Sequence, residues 1–333
     1  MIGLLFTGGT ISMKLDPATG AAVPALGADD ILAQVRGLDE IAEIEVEDFS
    51  RLPGPHVTPE QMWRLARRAS AWLERPDIDG LVITHGTDTI EETAFLLDLL
   101  LLTDKPVVMV GAMRTVSDVG WDGPANLLAA VRVAAAPAAS AQGVLVVMDE
   151  RILPAREVRK VHTESSASFT APEFGPLGQV DAGQVLIRRT VRARPSWRSA
   201  NAEPGLRVSR LDTRVSLLQT FTGMDDGLVK CVAATDARGL ALVAYGRGNV
   251  PPSIMPALES AIAGGLLVTV SSRCVAGRVS ARYGYEGGGL HLRNAGAVLA
   301  ADLTGAKARL LQMVALGAAK NAAEAKELVL TMV

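Results

Sequence analysis

Short apolar runs that alternate with helical periodicity constrain this chain more than any other feature. Residues 2–6, 80–84, 106–111 and 143–148 read as buried strands, with 3.6-residue apolar patterns between several of them. That alternation predicts an α/β fold on a parallel sheet with helices on both faces. Composition agrees: 49% of residues are hydrophobic but only 4% aromatic, and the apolar mass is Ala, Leu and Val. Thr58-Pro59-Glu60-Gln61 offers a capping box with Pro at the first helical position, and Met62, Leu65, Ala66, Ala69 and Leu73 then share one face. Residues 89–92 repeat the box. Residues 188–210 are basic, punctuated by Pro, Ser and Gly, and lack an apolar period, which predicts a linker. The expected layout is a larger N-terminal domain, 1–187, the linker 188–210, and a smaller C-terminal α/β domain, 211–333. In the latter, 215–220, 239–245 and 266–270 read as strands, and 254–263 and 307–316 as helices.

At 333 residues the chain is long enough for about two domains with cores of their own. Lys plus Arg total 33 against 36 Asp plus Glu, a net charge of −3 with no concentrated run. A nucleic-acid or anionic-membrane partner is therefore not expected. Cys231 and Cys274 show neither disulfide nor zinc spacing and read as small buried thiols. The start has no basic n-region, and Gly8-Gly9 interrupts its apolar run, so the chain is expected to begin at Met1 without a leader. Residues 94–102 are too few for a membrane span and include Asp98. The expectation is a soluble, cytoplasmic protein.

In open α/β sheets ligands bind beyond the carboxyl ends of the strands. Two turns there are rich in hydroxyls. After the first strand comes Thr7-Gly8-Gly9-Thr10, whose glycines allow a close backbone approach and whose Thr10 presents a hydroxyl. After residues 80–84 comes His85-Gly86-Thr87-Asp88-Thr89, with Thr87 and Asp88 just ahead of a helix N-terminus that favours a carboxylate or an oxyanion. Either turn alone also suits ordinary turn and cap chemistry. A threonine nucleophile needs a base, and a desolvated lysine can serve. Lys160, after the strand ending near Met148, is the candidate, although most lysines are simply solvated. Gly246-Arg247-Gly248-Asn249 lacks the third glycine of a dinucleotide fingerprint, there is no Walker motif, and His56, His85, His162 and His291 lack metal-ligand spacing. Neither a metal nor a cofactor is expected.

With Thr7-Gly8-Gly9-Thr10-Ile11, Thr84-His85-Gly86-Thr87-Asp88-Thr89 followed by Glu91-Glu92-Thr93, Gly111-Ala112-Met113-Arg114 and Asp122-Gly123-Pro124-Ala125-Asn126-Leu127, the chain resembles the bacterial L-asparaginase family over nearly its whole length. Arg156 to Lys160, Phe174 to Gly178 and Gly246 to Asn249 fall where that family has similar segments. The resemblance implies two domains, hydrolysis of the asparagine side-chain amide to aspartate and ammonia without a cofactor, and a homo-oligomer, dimer or tetramer, with active sites between paired subunits. It implies Thr10 as nucleophile, a Thr87-Asp88-Lys160 group, Asp88 on the substrate ammonium, oxyanion donors on the backbone near Thr87 and Ala112, and Gly86 in the substrate-binding set. Asn249 belongs to the implied substrate-binding set.

Two departures from the family pattern shape the expectation. The segment after the first motif reads Ala18-Thr19-Gly20-Ala21-Ala22-Val23-Pro24, where the family has a tyrosine, and the chain's only tyrosines are Tyr245, Tyr283 and Tyr285. Tyr283 or Tyr285, with Glu286, is expected to enter a neighbouring subunit's crevice in its place. Pro53-Gly54-Pro55-His56 stands where the family places polar side chains on the substrate's α-groups; Gly54 and Pro55 cannot supply them, so backbone groups of this segment, Pro55 included, or the His56 imidazole are expected to receive the α-carboxylate. The alternatives are a glutaminase or other small-amide hydrolase, and a non-catalytic amino-acid-binding or regulatory protein on the same scaffold.

Overall fold

The computed structural model describes residues 1–191 and 197–333. Residues 192–196, inside the expected linker, lie outside the described residues. The chain divides into two units, Met1–Ala193 with Pro204–Leu206, and Arg194–Glu203 with Arg207–Val333. Part of the expected linker is built into the first unit. Gly205 accepts at its carbonyl from the Leu102 N–H (2.9 Å), and the Ser70 hydroxyl donates to the Pro204 carbonyl (3.2 Å).

In chain order the first unit holds β1 (Ile2–Gly8), a hairpin of β2 (Met13–Leu15) and β3 (Ala22–Pro24), α1 (Ala28–Leu32), β4 (Ile44–Leu52), α2 (Pro59–Leu73), β5 (Gly80–Thr84), α3 (Ile90–Leu100), β6 (Val107–Val110), α4 (Gly123–Ala135), β7 (Val144–Met148) and β8 (Arg151–Pro154). The short pair β9 (Arg159–Lys160) and β10 (Phe169–Thr170) follows, then β11 (Gly178–Asp181) and β12 (Gln184–Ile187). Eight strands form one sheet in the order β12-β11-β8-β7-β6-β5-β1-β4. From β4 to β7 the neighbours are parallel, whereas β8, β11 and β12 extend the sheet antiparallel. The chain leaves β1 toward β4 and then crosses back to β5, so strand order reverses between β1 and β5. A crevice forms at such a reversal.

Alternate residues of the central strands face opposite helical layers. Leu4, Phe6, Val82, Val108 and Leu145 pack with α1 and α4, and Met62, Leu65, Ala66, Ala69, Trp72 and Leu73 are the buried face of α2. The capping box expected at Thr58 is present: the Gln61 N–H donates to Thr58 Oγ1, and the Thr58 N–H donates to Gln61 Oε1. The box expected at Thr89 is not. Its hydroxyl donates to the Gly54 carbonyl instead (2.8 Å), tying the turn after β5 to the turn after β4.

The second unit carries a parallel sheet, β13 (Val215–Gln219), β14 (Gly239–Ala244), β15 (Leu267–Ser272) and β16 (Val298–Leu299), in sequential order. Its helices are α5 (Gly227–Ala233), α6 (Met255–Ala263), α7 (Gly289–Asn294), α8 (Gly305–Ala318) and α9 (Ala322–Met332). The architecture is thus a larger, mostly parallel-sheet α/β domain and a smaller parallel-sheet α/β domain. The cysteine expectation is corrected: Cys231 and Cys274 are both exposed, Cys231 on short α5, of which only Val229 is buried, and Cys274 in the loop after β15. Among the described residues no helix is long and apolar enough to cross a membrane.

Candidate active site

The carboxyl ends of β1, β4 and β5 converge because three glycines let their turns touch backbone to backbone. A Cβ on Gly9 would stand 2.5 Å from the Gly86 Cα, and one on Gly86 would stand 2.6 Å from the Gly54 Cα. Gly9 also has φ +88°, a conformation that side chains disfavour. Below this junction β1 and β5 are pinned reciprocally, the Thr7 hydroxyl donating to the Thr84 carbonyl (2.6 Å) and the Thr7 N–H to Thr84 Oγ1 (3.2 Å). Thr10 begins a 3-10 turn (Thr10–Ser12) just past the junction, and its hydroxyl has no hydrogen bond among the described residues.

His85 sets the next turn from below. It is fully buried, and burial pushes its imidazole down to about 4, so the ring is neutral at pH 7. The Gly86 carbonyl can only accept, so Nδ1 carries the proton and donates to it (2.9 Å), while Nε2 accepts from the Thr93 hydroxyl (3.0 Å).

Lys160 arrives from the other edge of the sheet. After β7 the chain reverses into β8, and β9 then brings Lys160 to the turn, where Glu91 Oε2 accepts its backbone N–H (2.6 Å). Lys160 Nζ lies 3.0 Å from Thr87 Oγ1 and 2.7 Å from Asp88 Oδ1. The lysine and Thr87 are largely buried, whereas the Asp88 side chain is 59% exposed. Its second oxygen has no protein donor among the described residues. The N–H groups of Thr87 and Ala112, both buried residues, also meet no protein acceptor among the described residues. One lysine, one hydroxyl, one half-open carboxylate and free donors on the backbone thus meet at one edge of a crevice.

The model of the "Asparaginase, N-terminal" family matches residues 1–193, and that of the "Glutaminase/Asparaginase C-terminal domain" matches residues 214–329. The chain belongs to the asparaginase family. It is an amidohydrolase of that family's L-asparaginase type. It is 38% identical to a probable L-asparaginase of Deinococcus radiodurans, over 95% of this chain and 92% of that one. It is 33% identical to a glutaminase-asparaginase of Pseudomonas fluorescens biotype A, over 96% and 87%. The crystal structure of a probable cytoplasmic L-asparaginase from Campylobacter jejuni superposes with a TM-score of 0.83 at 31% identity, covering 99% of this chain and 98% of that one.

Of the asparaginase-type residues singled out in the sequence, Thr87, Asp88 and Lys160 are in direct contact, and Thr10 sits on the abutting turn. Gly86 forms the junction itself, and Ala112 follows Gly111, where a Cβ would stand 3.1 Å from the Thr87 methyl carbon. Pro55 and His56 are exposed on a 3-10 turn (Gly54–His56) whose buried Gly54 lies against Asp88. Asn249, Tyr283, Tyr285 and Glu286 belong to the second unit. There Asn249 Oδ1 accepts from the Gly289 N–H (3.3 Å), and the two exposed tyrosine rings lie 5.5 Å apart. Sequence reasoning gave no role to Glu91, which fixes the Lys160 backbone, or to Thr93, which orients His85. Both stand inside the quoted motif segment, but Glu91 meets its partner 69 residues away, and Thr93, eight residues from His85, contacts it only once α3 is folded and the ring is buried.

Proposed function

We propose that the protein hydrolyses the side-chain amide of L-asparagine to L-aspartate and ammonia. The observation that carries this reading is the placement of Lys160 Nζ within hydrogen-bond distance of both Thr87 and Asp88, beside a turn that presents a free Thr10 hydroxyl. Thr10 is the nucleophile. Its oxygen adds to the amide carbon, its proton passes to the Thr87-Asp88-Lys160 group, and the carbonyl oxygen takes up negative charge. The unpartnered N–H groups of Thr87 and Ala112 suit that charge, and such donors are a large contribution to acyl transfer. Collapse breaks the C–N bond, ammonia leaves with a proton from the same group, and an ester on Thr10 remains. Water then attacks the ester with Thr87-Asp88-Lys160 as base, which releases aspartate and returns the proton to Thr10. The open oxygen of Asp88 receives the substrate ammonium, and the Gly86 turn, Pro55 and His56 border the α-carboxylate end.

The working form is a cytoplasmic homo-oligomer, dimer or tetramer, in which Asn249, Tyr283, Tyr285 and Glu286 complete the site of a paired subunit. The two exposed tyrosines, standing together in a chain without an N-terminal tyrosine, support this part of the reading. Ammonia release from asparagine, glutamine and other small amides by the purified protein tests the function. Asparagine should be turned over, and Thr10→Ala should abolish the release. A protein that binds asparagine but releases no ammonia would overturn the reading, and faster release from glutamine would make it a glutaminase, as a name in its family allows.

A further inference from the structure

Two polar side chains outside the reacting group hold the backbone that surrounds it. A Cβ on Gly111 would stand 2.7 Å from the His85 carbonyl oxygen and 3.1 Å from the Thr87 methyl carbon, so the turn after β6 rests directly on the Thr87 turn. Asp122, just before α4, grips the far side of that turn. Its Oδ1 accepts from the N–H groups of Met113 (3.1 Å) and Arg114 (2.9 Å), and its Oδ2 also lies 3.0 Å from the Met113 nitrogen. Asn126, on the first turn of α4, is buried and fully satisfied. Its Nδ2 donates to the Gly111 carbonyl (3.1 Å) and to Asp122 Oδ2 (3.0 Å), and its Oδ1 accepts from the Asp149 N–H (3.1 Å).

The Asp149 bond links two arms of the site. Asp149 and Glu150 form the reversal between β7 and β8 with φ values of +51° and +61°, which non-glycine residues hold only when surrounding contacts require it. From that reversal the chain runs through β8 to β9 and Lys160. One amide side chain thus fixes the turn bearing the Ala112 N–H and the hairpin that delivers Lys160.

Building on the function proposed above, we infer that Asp122 and Asn126 are positioning residues for amide hydrolysis. They hold the Ala112 N–H where charge develops on the substrate oxygen and set its distance from Lys160. Neither touches Asp88, which binds the ammonium. A donor displaced by about 1 Å loses much of its effect on the transition state, whereas ground-state binding through Asp88 is retained. The signature is a fall in kcat at nearly constant KM.

Asn126→Leu and Asp122→Asn are nearly isosteric; the first deletes the bonds of Asn126 to Gly111, Asp122 and Asp149, and the second replaces one carboxylate oxygen of Asp122 with a donor. Each is expected to lower kcat for asparagine at least tenfold with KM changed less than threefold and the circular dichroism spectrum retained. Amide hydrogen exchange at Met113, Arg114 and Asp149 should accelerate at least tenfold, while Val108 in β6 stays protected. Wild-type kcat in both variants, or KM rising in step with the loss of kcat, would overturn the inference. If one variant fails to fold, the other is read by the same criteria. If the wild-type protein hydrolyses no amide, the proposed function fails by itself, and the positioning of the turns is then decided by exchange: unchanged rates at the three amides overturn it.

Discussion

Thr87 combines two contacts that one substitution can separate. Its methyl faces the Gly111 turn and its hydroxyl meets Lys160 Nζ. Thr87→Val keeps the branched shape and deletes the hydroxyl, so kcat for asparagine should fall by roughly 10²–10⁴-fold, the scale of a lost acid–base contribution, with little change in thermal unfolding. Lys160→Met keeps the stem, removes the amine and should fall into the same range, and normal turnover in either variant would remove Thr87-Asp88-Lys160 from the mechanism. His85 makes a different prediction, because both ring nitrogens are engaged and burial holds its pKa at about 4, below the ordinary 6.5. The unfolded chain binds the extra proton first, so this group's contribution is fully present above pH 6.5 and is lost as pH falls through 4. The loss amounts to about 3 kcal/mol at most. Denaturant unfolding between pH 7 and 4 should show that slope in the wild type and a flatter one in His85→Gln. The hydroxyls, the carboxylate and Lys160 were legible in the sequence because motif spacing exposes them. The tautomer of His85 was not, since it depends on Thr93 and on burial.

Among the elements, the turn after β5 shows why local pattern can mislead. Thr89 followed by Glu92 satisfies the capping-box pattern, yet the Gly54 carbonyl, brought close by the Gly86–Gly54 contact, takes the hydroxyl. That contact predicts the effect of Gly86→Ala. The added methyl would meet backbone, which cannot rotate away, and the variant should lose about 1–3 kcal/mol together with most activity. Wild-type stability would mean that the turns separate without cost. Thr58, whose box is intact, should cost only about 1 kcal/mol when changed to Ala, with activity unchanged, as measured by urea unfolding and ammonia release. The edge strand β4 was invisible as an apolar run for a physical reason. Glu45 and Glu47 on it pair with Arg75 and Arg68 of the α2 region, and Glu47 also accepts from Trp72 Nε1 (2.8 Å), so this strand presents charge where central strands present Val and Leu. The antiparallel strands β8, β11 and β12 are four residues long each and, unlike the equally short but wholly apolar β6, include polar or charged residues, so no apolar run registers.

For the molecule as a whole, the proposed sharing of sites between subunits gives a complementation test. Thr10→Ala subunits mixed with Tyr283→Phe/Tyr285→Phe subunits should regain part of the activity that neither has alone, since one mixed site then carries both intact groups. Full activity in the double Phe variant, or no gain on mixing, would dissociate the tyrosines from catalysis. The sequence by itself determined the α/β class, a larger and a smaller α/β part, and the hydroxyl-rich turns at which chemistry is proposed. Those follow from periodicity and turn chemistry, which act over a few residues. Only the tertiary structure decided that β4 closes one edge of the sheet, that Thr89 bonds to Gly54, that both cysteines face solvent, and that Asn126 joins the turn after β6 to the hairpin leading to Lys160. Apart from the exposure of the cysteines, which reflects what does not pack over them, each of these joins residues from different elements. The energy of a close approach, a buried amide or a charged edge exists only once those elements have packed.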